Sequence, residues 1–266
     1  MLDIQKNKPR PFLQWVGGKR IIAEQLLPHI PNNLNNYYEP FLGGGALFFQ
    51  AKNMFKKCYL SDINLELITT YSAVKKNPEI VGALLEEHNS KHSKEYYYQT
   101  RNVNNSNHPD VISARLLYLT RYAYKGIYRL NRKGNVASSF AHKTYKTSRI
   151  HNRLKECSSS LKDASIYAMD FSFIEPEKDD FVYFDPPYHK AGEKFYTRLS
   201  FDEKEQIRLK DFIDTLNDKG VKIMVSNSNT QFIKELYKNY NINTIDTKYS
   251  LHKKREKLQE LMITNY

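Results

Sequence analysis

Short apolar runs alternate with amphipathic stretches in the first and last thirds of the chain. Apolar runs of a few residues predict buried strands, whereas apolar positions spaced three and four residues apart predict helices. The predicted strands cover residues 37–41, 58–60, 166–169, 181–184 and 221–225, and residues 242–249 and 260–266 predict a closing antiparallel hairpin. The predicted helices cover residues 45–55, 65–74, 79–88, 111–124, 201–218 and 230–239. This alternation predicts an α/β fold with a doubly wound, largely parallel sheet.

A basic segment separates the two alternating regions. Residues 111–155 contain no Asp or Glu, and aromatic residues are interleaved among their basic residues. The basic residues are Arg115, Arg121, Lys125, Arg129, Arg132, Lys133, Lys143, Lys146, Arg149, Arg153 and Lys155. This composition favours a surface that faces a polyanion, and a solvated charged face is the alternative. We therefore predict a small, mostly helical domain inserted at residues 64–160.

The overall composition is that of a globular protein with an acidic partner. The 266 residues are 40% hydrophobic and carry a formal net charge of +12, which favours nucleic acid first and an anionic membrane second. With only Cys58 and Cys157, we expect no disulfide framework and no thiolate metal site. The chain shows no signal-peptide pattern and no apolar run of transmembrane length, so we expect a cytoplasmic protein.

The tetrapeptide Asp185-Pro186-Pro187-Tyr188 directly follows the apolar strand predicted at residues 181–184. Open α/β sheets bind ligands where their strands end. A carboxylate, a carbonyl and an aromatic ring at that place suit the binding of an exocyclic amino group. Alternatively, two prolines simply end the strand, because proline cannot continue a central ladder.

Residues 39–45 (Glu-Pro-Phe-Leu-Gly-Gly-Gly) form a predicted strand-to-helix turn, in which Gly43 and Gly45 would let the backbone approach a ligand closely. Asp62 ends the next predicted strand, where a carboxylate can bind both ribose hydroxyls. Together they indicate an adenosine-type cofactor, although a plain tight turn is the alternative for the glycines. Residues 15–19 (Trp-Val-Gly-Gly-Lys) suit the same cofactor, but a simply buried Trp15 is equally compatible.

These motifs, in this order, resemble the Dam-type DNA adenine-N6 methyltransferases, and most closely the branch that methylates within GATC. The resemblance runs essentially from end to end. It includes Asp62, residues 169–171 (Met-Asp-Phe), the segment 124–131 and the closing Thr264-Asn265-Tyr266. The family implies a Rossmann-like class I methyltransferase fold, with a catalytic domain of residues 1–63 and 161–266 and a target-recognition domain at residues 64–160.

The resemblance also implies a cofactor and a reaction. The cofactor is S-adenosyl-L-methionine, and the methyl group goes to N6 of an adenine flipped out of duplex DNA. Asp185 and Pro186 would accept the amino hydrogens, and Tyr188 would stack on the base. The residues expected at the cofactor are Trp15, Lys19, Gly43, Gly45, Asp62, Asp170, Phe171 and Asp185. No metal is needed, because a neutral thioether is displaced from the sulfonium without one.

By the same resemblance, segment 124–131 and a second stretch at residues 135–143 contact DNA. The residues are Tyr124, Lys125, Tyr128, Arg129, Asn131, His142 and Lys143. Both stretches depart from the family pattern: Lys125 replaces an Asn, and His142 or Lys143 replaces an Arg expected to read guanine. His cannot copy the two-pronged contact of Arg, which counts against strict GATC recognition but leaves the chemistry unaffected. The expected site is GATC or a related short sequence.

Three alternatives remain open from the sequence. The same acceptor pair would serve a cytosine-N4 or an RNA amino-methyltransferase, and the basic segment would also serve a catalytically silent DNA-binding module. The expected partner is double-stranded DNA, with no obligatory protein partner. A restriction enzyme of the same system would be a functional companion. The expected form is a monomer in a bacterial or phage-infected cell.

Overall fold

The computed structural model describes residues 9–15, 20–103, 106–131, 135–142, 149–189, 201–247 and 258–266. Its strands are β1 (Asn36–Glu39), β2 (Lys57–Asp62), β3 (Ala164–Ala168), β4 (Phe181–Phe184), β5 (Lys222–Ser228), β6 (Asn241–Thr247) and β7 (Leu258–Thr264). They form one seven-stranded sheet in the order β3-β2-β1-β4-β5-β7-β6. This confirms the predicted α/β fold.

The first five strands are parallel, and β7 pairs antiparallel with both β5 and β6. Strand β4 lies between β1 and β5, and its four side chains are all buried. A parallel strand covered on both faces reads as a continuous apolar run, which explains the residues Phe181–Phe184. The predicted closing hairpin is β6 and β7, with β7 inserted next to β5.

The helices are α1 (Arg20–Leu26), α2 (Phe48–Ala51), α3 (Leu65–Lys76), α4 (Pro78–Ser90), α5 (Lys94–Asn102), α6 (Pro109–Tyr122), α7 (Ile150–Leu161), α8 (Glu203–Asp218) and α9 (Gln231–Leu236). Among them, α1, α5 and α7 were not predicted. No helix in the described part of the chain has the length and apolar character needed to cross a membrane.

Helices α3 to α7 lie between β2 and β3 in the chain, where the sequence predicts an insertion. Helix α3 packs against α6, α7 and β3. One continuous group of buried side chains includes Phe48 and Leu60 from the sheet region as well as Tyr118 and Leu154 from these helices. The helices and the sheet therefore share a core, and the domain boundaries at residues 64 and 160 stay a prediction.

One residue of the basic segment has a structural role. Arg115 is 7% exposed and donates hydrogen bonds to the carbonyls of Thr100, Arg101 and Val103. It also forms a 3.0 Å ion pair with Glu66. The interpretation of the segment as a polyanion-facing surface is therefore wrong for Arg115, because its charge is paired inside the protein.

Candidate cofactor and target-base site

The carboxyl ends of β1, β2 and β3 meet at one edge of the sheet. The Leu42 N–H donates to the Ser61 carbonyl at 3.0 Å, and the Gly43 N–H donates to Asp62 Oδ2 at 3.1 Å. On the other side of β2, the Met169 N–H donates to the Asp62 carbonyl at 3.2 Å. These bonds bring together the glycine turn, Asp62 and the segment that carries Asp170.

The glycine turn is closely packed. Gly43 and Gly45 have φ values of +46° and +62°, which glycine adopts readily. A Cβ at Gly43 would lie 3.0 Å from Trp15 Cδ1, and one at Gly45 would lie 2.8 Å from the Tyr71 hydroxyl. Tyr71 also donates a 3.1 Å hydrogen bond to the Gly43 carbonyl. Trp15 therefore lies directly against the turn, and glycine is needed at both positions.

The surroundings of Asp62 disfavour the charged form of its carboxylate. Burial raises its pKa from 3.8 to about 6, although hydrogen bonds from the backbone of Asn64, Gly43 and Ile63 oppose the rise. Oδ1 accepts from Asn64 N–H at 3.0 Å and Oδ2 from Gly43 N–H. A carboxylate has about four acceptor positions, so Asp62 can still accept a pair of hydroxyl groups. The sequence did not single out Ile63, whose apolar side chain is 48% exposed beside this carboxylate.

Asp170 is held by a cation that the sequence did not reveal. Arg208 donates to both of its carboxylate oxygens at 2.8 Å, and this partner lowers the pKa of Asp170 to about 2. The Arg208 guanidinium also lies 4.0 Å from the centroid of the Phe171 ring. That ring is 3% exposed and stacks on Phe41, so it faces the interior rather than the edge of the sheet.

A third carboxylate belongs to this edge. Glu39 is 3% exposed and accepts a 2.8 Å hydrogen bond from the Tyr37 hydroxyl. Burial, followed by the charges of Asp185 and Asp62, raises its pKa well above the usual range. The charges of Asp62 and Asp185 make the electrostatic potential here negative, which favours a positively charged ligand, whereas the raised pKa favours the neutral form of Glu39.

The tetrapeptide follows β4 at the same edge. Pro186 is buried, and Asp185 and Tyr188 are partly exposed. The Tyr188 hydroxyl donates a 2.6 Å hydrogen bond to Glu260 Oε2, and Gln206 Nε2 donates to the Pro187 carbonyl at 2.9 Å. Neither Glu260 nor Gln206 was identified from the sequence, because each comes from a distant element and belongs to no short motif.

The two stretches predicted to contact DNA pair as an antiparallel hairpin. Leu130 bridges to Val136, and the Tyr124 N–H donates to the Ser139 carbonyl at 2.7 Å. The exposed members of the predicted set are Tyr124, Arg129, Asn131 and His142. Lys19 and Lys143 lie outside the described residues, as does the side chain of Lys125.

Tyr128 requires a correction. Its side chain is 2% exposed, its ring stacks on Trp15 at a centroid distance of 5.5 Å, and its hydroxyl donates to Glu66. Helical and hairpin elements surround this ring on the inside of the protein, so it has no surface to offer DNA. The prediction that Tyr128 contacts DNA is therefore wrong for this buried side chain, and its role is structural.

Comparison with known proteins connects this geometry to one family. A model described as D12 class N6 adenine-specific DNA methyltransferase matches residues 15–251. The chain belongs to this family. It is 38% identical to the type II methyltransferase M1.LlaDCHI of Lactococcus lactis subsp. cremoris, over 99% of this chain and 98% of that protein. It is also 30% identical to the DNA adenine methylase of Escherichia coli K12, over 96% and 95% of the two chains.

S-adenosyl-L-methionine is the methyl donor of D12-class methyltransferases, and two observations fit it. Gly43 leaves no room for a Cβ between its backbone and the Trp15 ring, so a ligand at the turn meets the backbone and that ring. The partly exposed carboxylates Asp62 and Asp185 suit a cofactor that carries a positive sulfonium and two ribose hydroxyls. The cofactor predicted from the sequence is thus the one that the family uses.

Proposed function

We propose that this D12-class methyltransferase methylates N6 of an adenine that is flipped out of duplex DNA, at GATC or a related short site. The observation that carries the proposal is the position of Asp185 to Tyr188 at the end of the central strand β4, beside Glu39 and Asp62. Family membership supplies the reaction, and the arrangement of this chain's residues supports the following roles.

Asp185 and the Pro186 carbonyl accept the two amino hydrogens of the target adenine. The lone pair of that nitrogen is delocalised into the ring, which makes it a poor nucleophile. Two fixed acceptors localise the lone pair and stabilise the positive charge that develops on the nitrogen. Tyr188 stacks on the flipped base, since a base must leave the duplex to reach such a pocket.

Trp15, Gly43 and Gly45 border the methionine part of the cofactor, and Asp62 accepts its ribose hydroxyls. Asp170 accepts from the adenine of the cofactor, with Ile63 as an apolar neighbour and the backbone of Phe171 alongside. Lys19 is the remaining residue that we propose for the cofactor site. When bound, S-adenosyl-L-methionine supplies an electrophilic methyl group on a sulfonium.

The hairpin of residues 124–131 and 135–142 contacts DNA through Tyr124, Arg129, Asn131 and His142, together with Lys125 and Lys143. Because Lys and Arg release counterions from the phosphates, binding should weaken steeply with salt. We further propose that the enzyme acts as a monomer in the cytoplasm, and that a restriction enzyme of the same system would cut the unmethylated site.

Transfer of a labelled methyl group to duplex DNA tests the reaction. Asp185→Ala should abolish transfer, and Asp211→Ala, which removes an exposed carboxylate of α8, should leave it unchanged. Digestion of the product to nucleosides should give N6-methyl-2′-deoxyadenosine. A product of N4-methylcytosine, transfer to RNA alone, or full activity of Asp185→Ala would contradict the proposal. Sequencing DNA from a methylation-free host that expresses the enzyme would identify the site.

A further inference from the structure

The ring of Tyr188 is held at its tip by a buried carboxylate. The hydroxyl donates to Glu260 Oε2 at 2.6 Å, and Glu260 is 5% exposed. Burial, followed by the charges of Asp185 and Glu260, raises the pKa of Tyr188 well above its usual range. The hydroxyl therefore keeps its proton and remains a donor.

The backbone that carries Glu260 is also fixed. Glu260 lies in β7 opposite Ser228 of β5 on one side and opposite Ile245 of β6 on the other. A residue paired on both sides of a sheet has little backbone freedom, so its side chain is a firm anchor for a ring that comes from another element.

Two buried amides hold the peptide groups on either side of Tyr188. Gln206 Nε2 donates to the Pro187 carbonyl, and Asn227 Nδ2 donates to Gln206 Oε1 at 3.0 Å. Asn227 Oδ1 in turn accepts from the His189 N–H at 3.4 Å. Both amides are 0% exposed. Buried amides that are satisfied in this way give a rigid network, since breaking any one bond leaves a polar group unpaired.

A stacking ring contributes to catalysis only when its plane is fixed before the base arrives. If the ring is free to rotate, part of the binding free energy is lost in ordering it, and the amino group is displaced from its acceptors. Tyr188 directly follows the Asp185 and Pro186 acceptors, so an error in its orientation would also disturb them.

We propose that Glu260 is a positioning residue for methyl transfer, which fixes the Tyr188 ring for the flipped base while Gln206 and Asn227 fix the backbone beneath it. This inference rests on the proposed function, because it assigns Tyr188 to the target base. Glu260 acts through the Tyr188 hydroxyl and has no part in binding DNA outside the pocket.

A double-mutant cycle tests whether Glu260 acts through the Tyr188 hydroxyl. Glu260→Leu and Tyr188→Phe should each lower kcat about tenfold, in proportion to one lost hydrogen bond to a charged group. KM for DNA should stay within about twofold, since the hairpin is unchanged. The double variant should be no slower than either single variant. Glu260→Gln should recover most of the activity, because its amide oxygen can still accept from Tyr188.

Asp110→Asn is the matched control, since Asp110 is a buried carboxylate of α6 that is 2% exposed and accepts from Asn77. It should lower the melting temperature without lowering kcat. If Glu260→Leu does not fold, Glu260→Met, which also removes the acceptor but keeps an unbranched side chain of similar length, completes the cycle with Tyr188→Phe. Losses that multiply in the double variant, or an unchanged kcat in Glu260→Leu, would overturn the inference. Failure of the wild-type protein to methylate adenine would instead overturn the proposed function.

Discussion

The ring of Trp15 stacks on the ring of Tyr128, with centroids 5.5 Å apart and planes 29° from parallel. Trp15 packs at the same time against Gly43, and Tyr128 belongs to the hairpin proposed to contact DNA. The two rings therefore join the cofactor turn to the recognition hairpin. Since Trp15 is the only tryptophan of the chain, its fluorescence reports on both.

Variants at the neighbouring positions 128 and 129 should affect different properties: Tyr128→Phe should lower stability, and Arg129→Ala should lower DNA affinity. Tyr128→Phe removes the hydroxyl bonded to Glu66 and should lower the free energy of unfolding by about 1 kcal/mol, with DNA affinity unchanged. Arg129→Ala should weaken DNA binding and reduce its salt dependence by about one counterion. Urea unfolding and DNA titrations at several salt concentrations distinguish the two effects. A large loss of DNA affinity in Tyr128→Phe would contradict the assignment of Tyr128 to the interior.

Cofactor affinity should fall as the pH is lowered through about 6. The raised pKa of Asp62 means that its carboxylate takes up a proton in this range and then accepts hydroxyl groups less well. The effect on stability has the opposite direction: the folded state binds this proton more tightly than the unfolded state, so the contribution of Asp62 to stability decreases as the pH rises from 3.8 to about 6.

Cofactor affinity can be measured by adding the cofactor to the protein and following Trp15 fluorescence between about pH 5 and 8. This window covers about one to two pH units on either side of the expected midpoint. In Asp62→Asn the affinity for the cofactor should be low and should not change with pH across this range. A midpoint near 6 that persists in Asp62→Asn would show that another group titrates.

Gly45→Ala should destabilise the protein more than Gly126→Ala. Both glycines have positive φ, at +62° and +69°, so alanine is strained at either position by about 1 kcal/mol. At Gly45 the added Cβ also meets the Tyr71 hydroxyl at 2.8 Å, whereas at Gly126 nothing lies within 4 Å. The overlap should add about 1–3 kcal/mol and weaken cofactor binding. Equal unfolding free energies for the two variants would contradict this packing.

Arg208→Met should weaken cofactor binding several-fold and destabilise the protein by no more than about 1 kcal/mol, because the Arg208 side chain is 41% exposed. Without the guanidinium, the pKa of Asp170 should rise from about 2 toward its ordinary value. Lys210→Met, on the same helix, breaks the ion pair to Asp214 and is the control. Calorimetric binding of the cofactor to both variants would test this; equal losses would show that Arg208 acts only on stability.

The sheet was predictable because its strands carry strong local signals. Phe181–Phe184 is apolar at every position, and Asp62 comes two residues after the apolar run of residues 58–60. Helix α7 was not predicted, although Ile150, Leu154, Cys157 and Leu161 have helical spacing and are all buried, because it begins in a strongly basic region whose composition favours a nucleic-acid surface. Helix α5 is rich in tyrosine and polar, and its clearest signal is the N-cap Ser93, which accepts from the Tyr96 N–H.

The site was predictable where a short motif carries it, as for Gly43, Gly45 and Asp185. It was not predictable where tertiary structure supplies the partner. Arg208 reaches Asp170 across 38 residues of chain, and Glu260 reaches Tyr188 across 72. Likewise, nothing local distinguishes buried Tyr128 from exposed Tyr124, because only the packing of Trp15 against the hairpin decides which ring is covered.

The position of β7 in the sheet also has a consequence for the order in which the parts of the site form during synthesis. All five parallel strands leave the ribosome before the strand that carries Glu260, so the glycine turn and Asp62 can assemble while Tyr188 still lacks its partner. When β7 enters between β5 and β6, it closes the open edge of β5 and anchors the Tyr188 ring in the same event. A nascent chain would thus acquire a cofactor cradle before it acquires a finished pocket for the base.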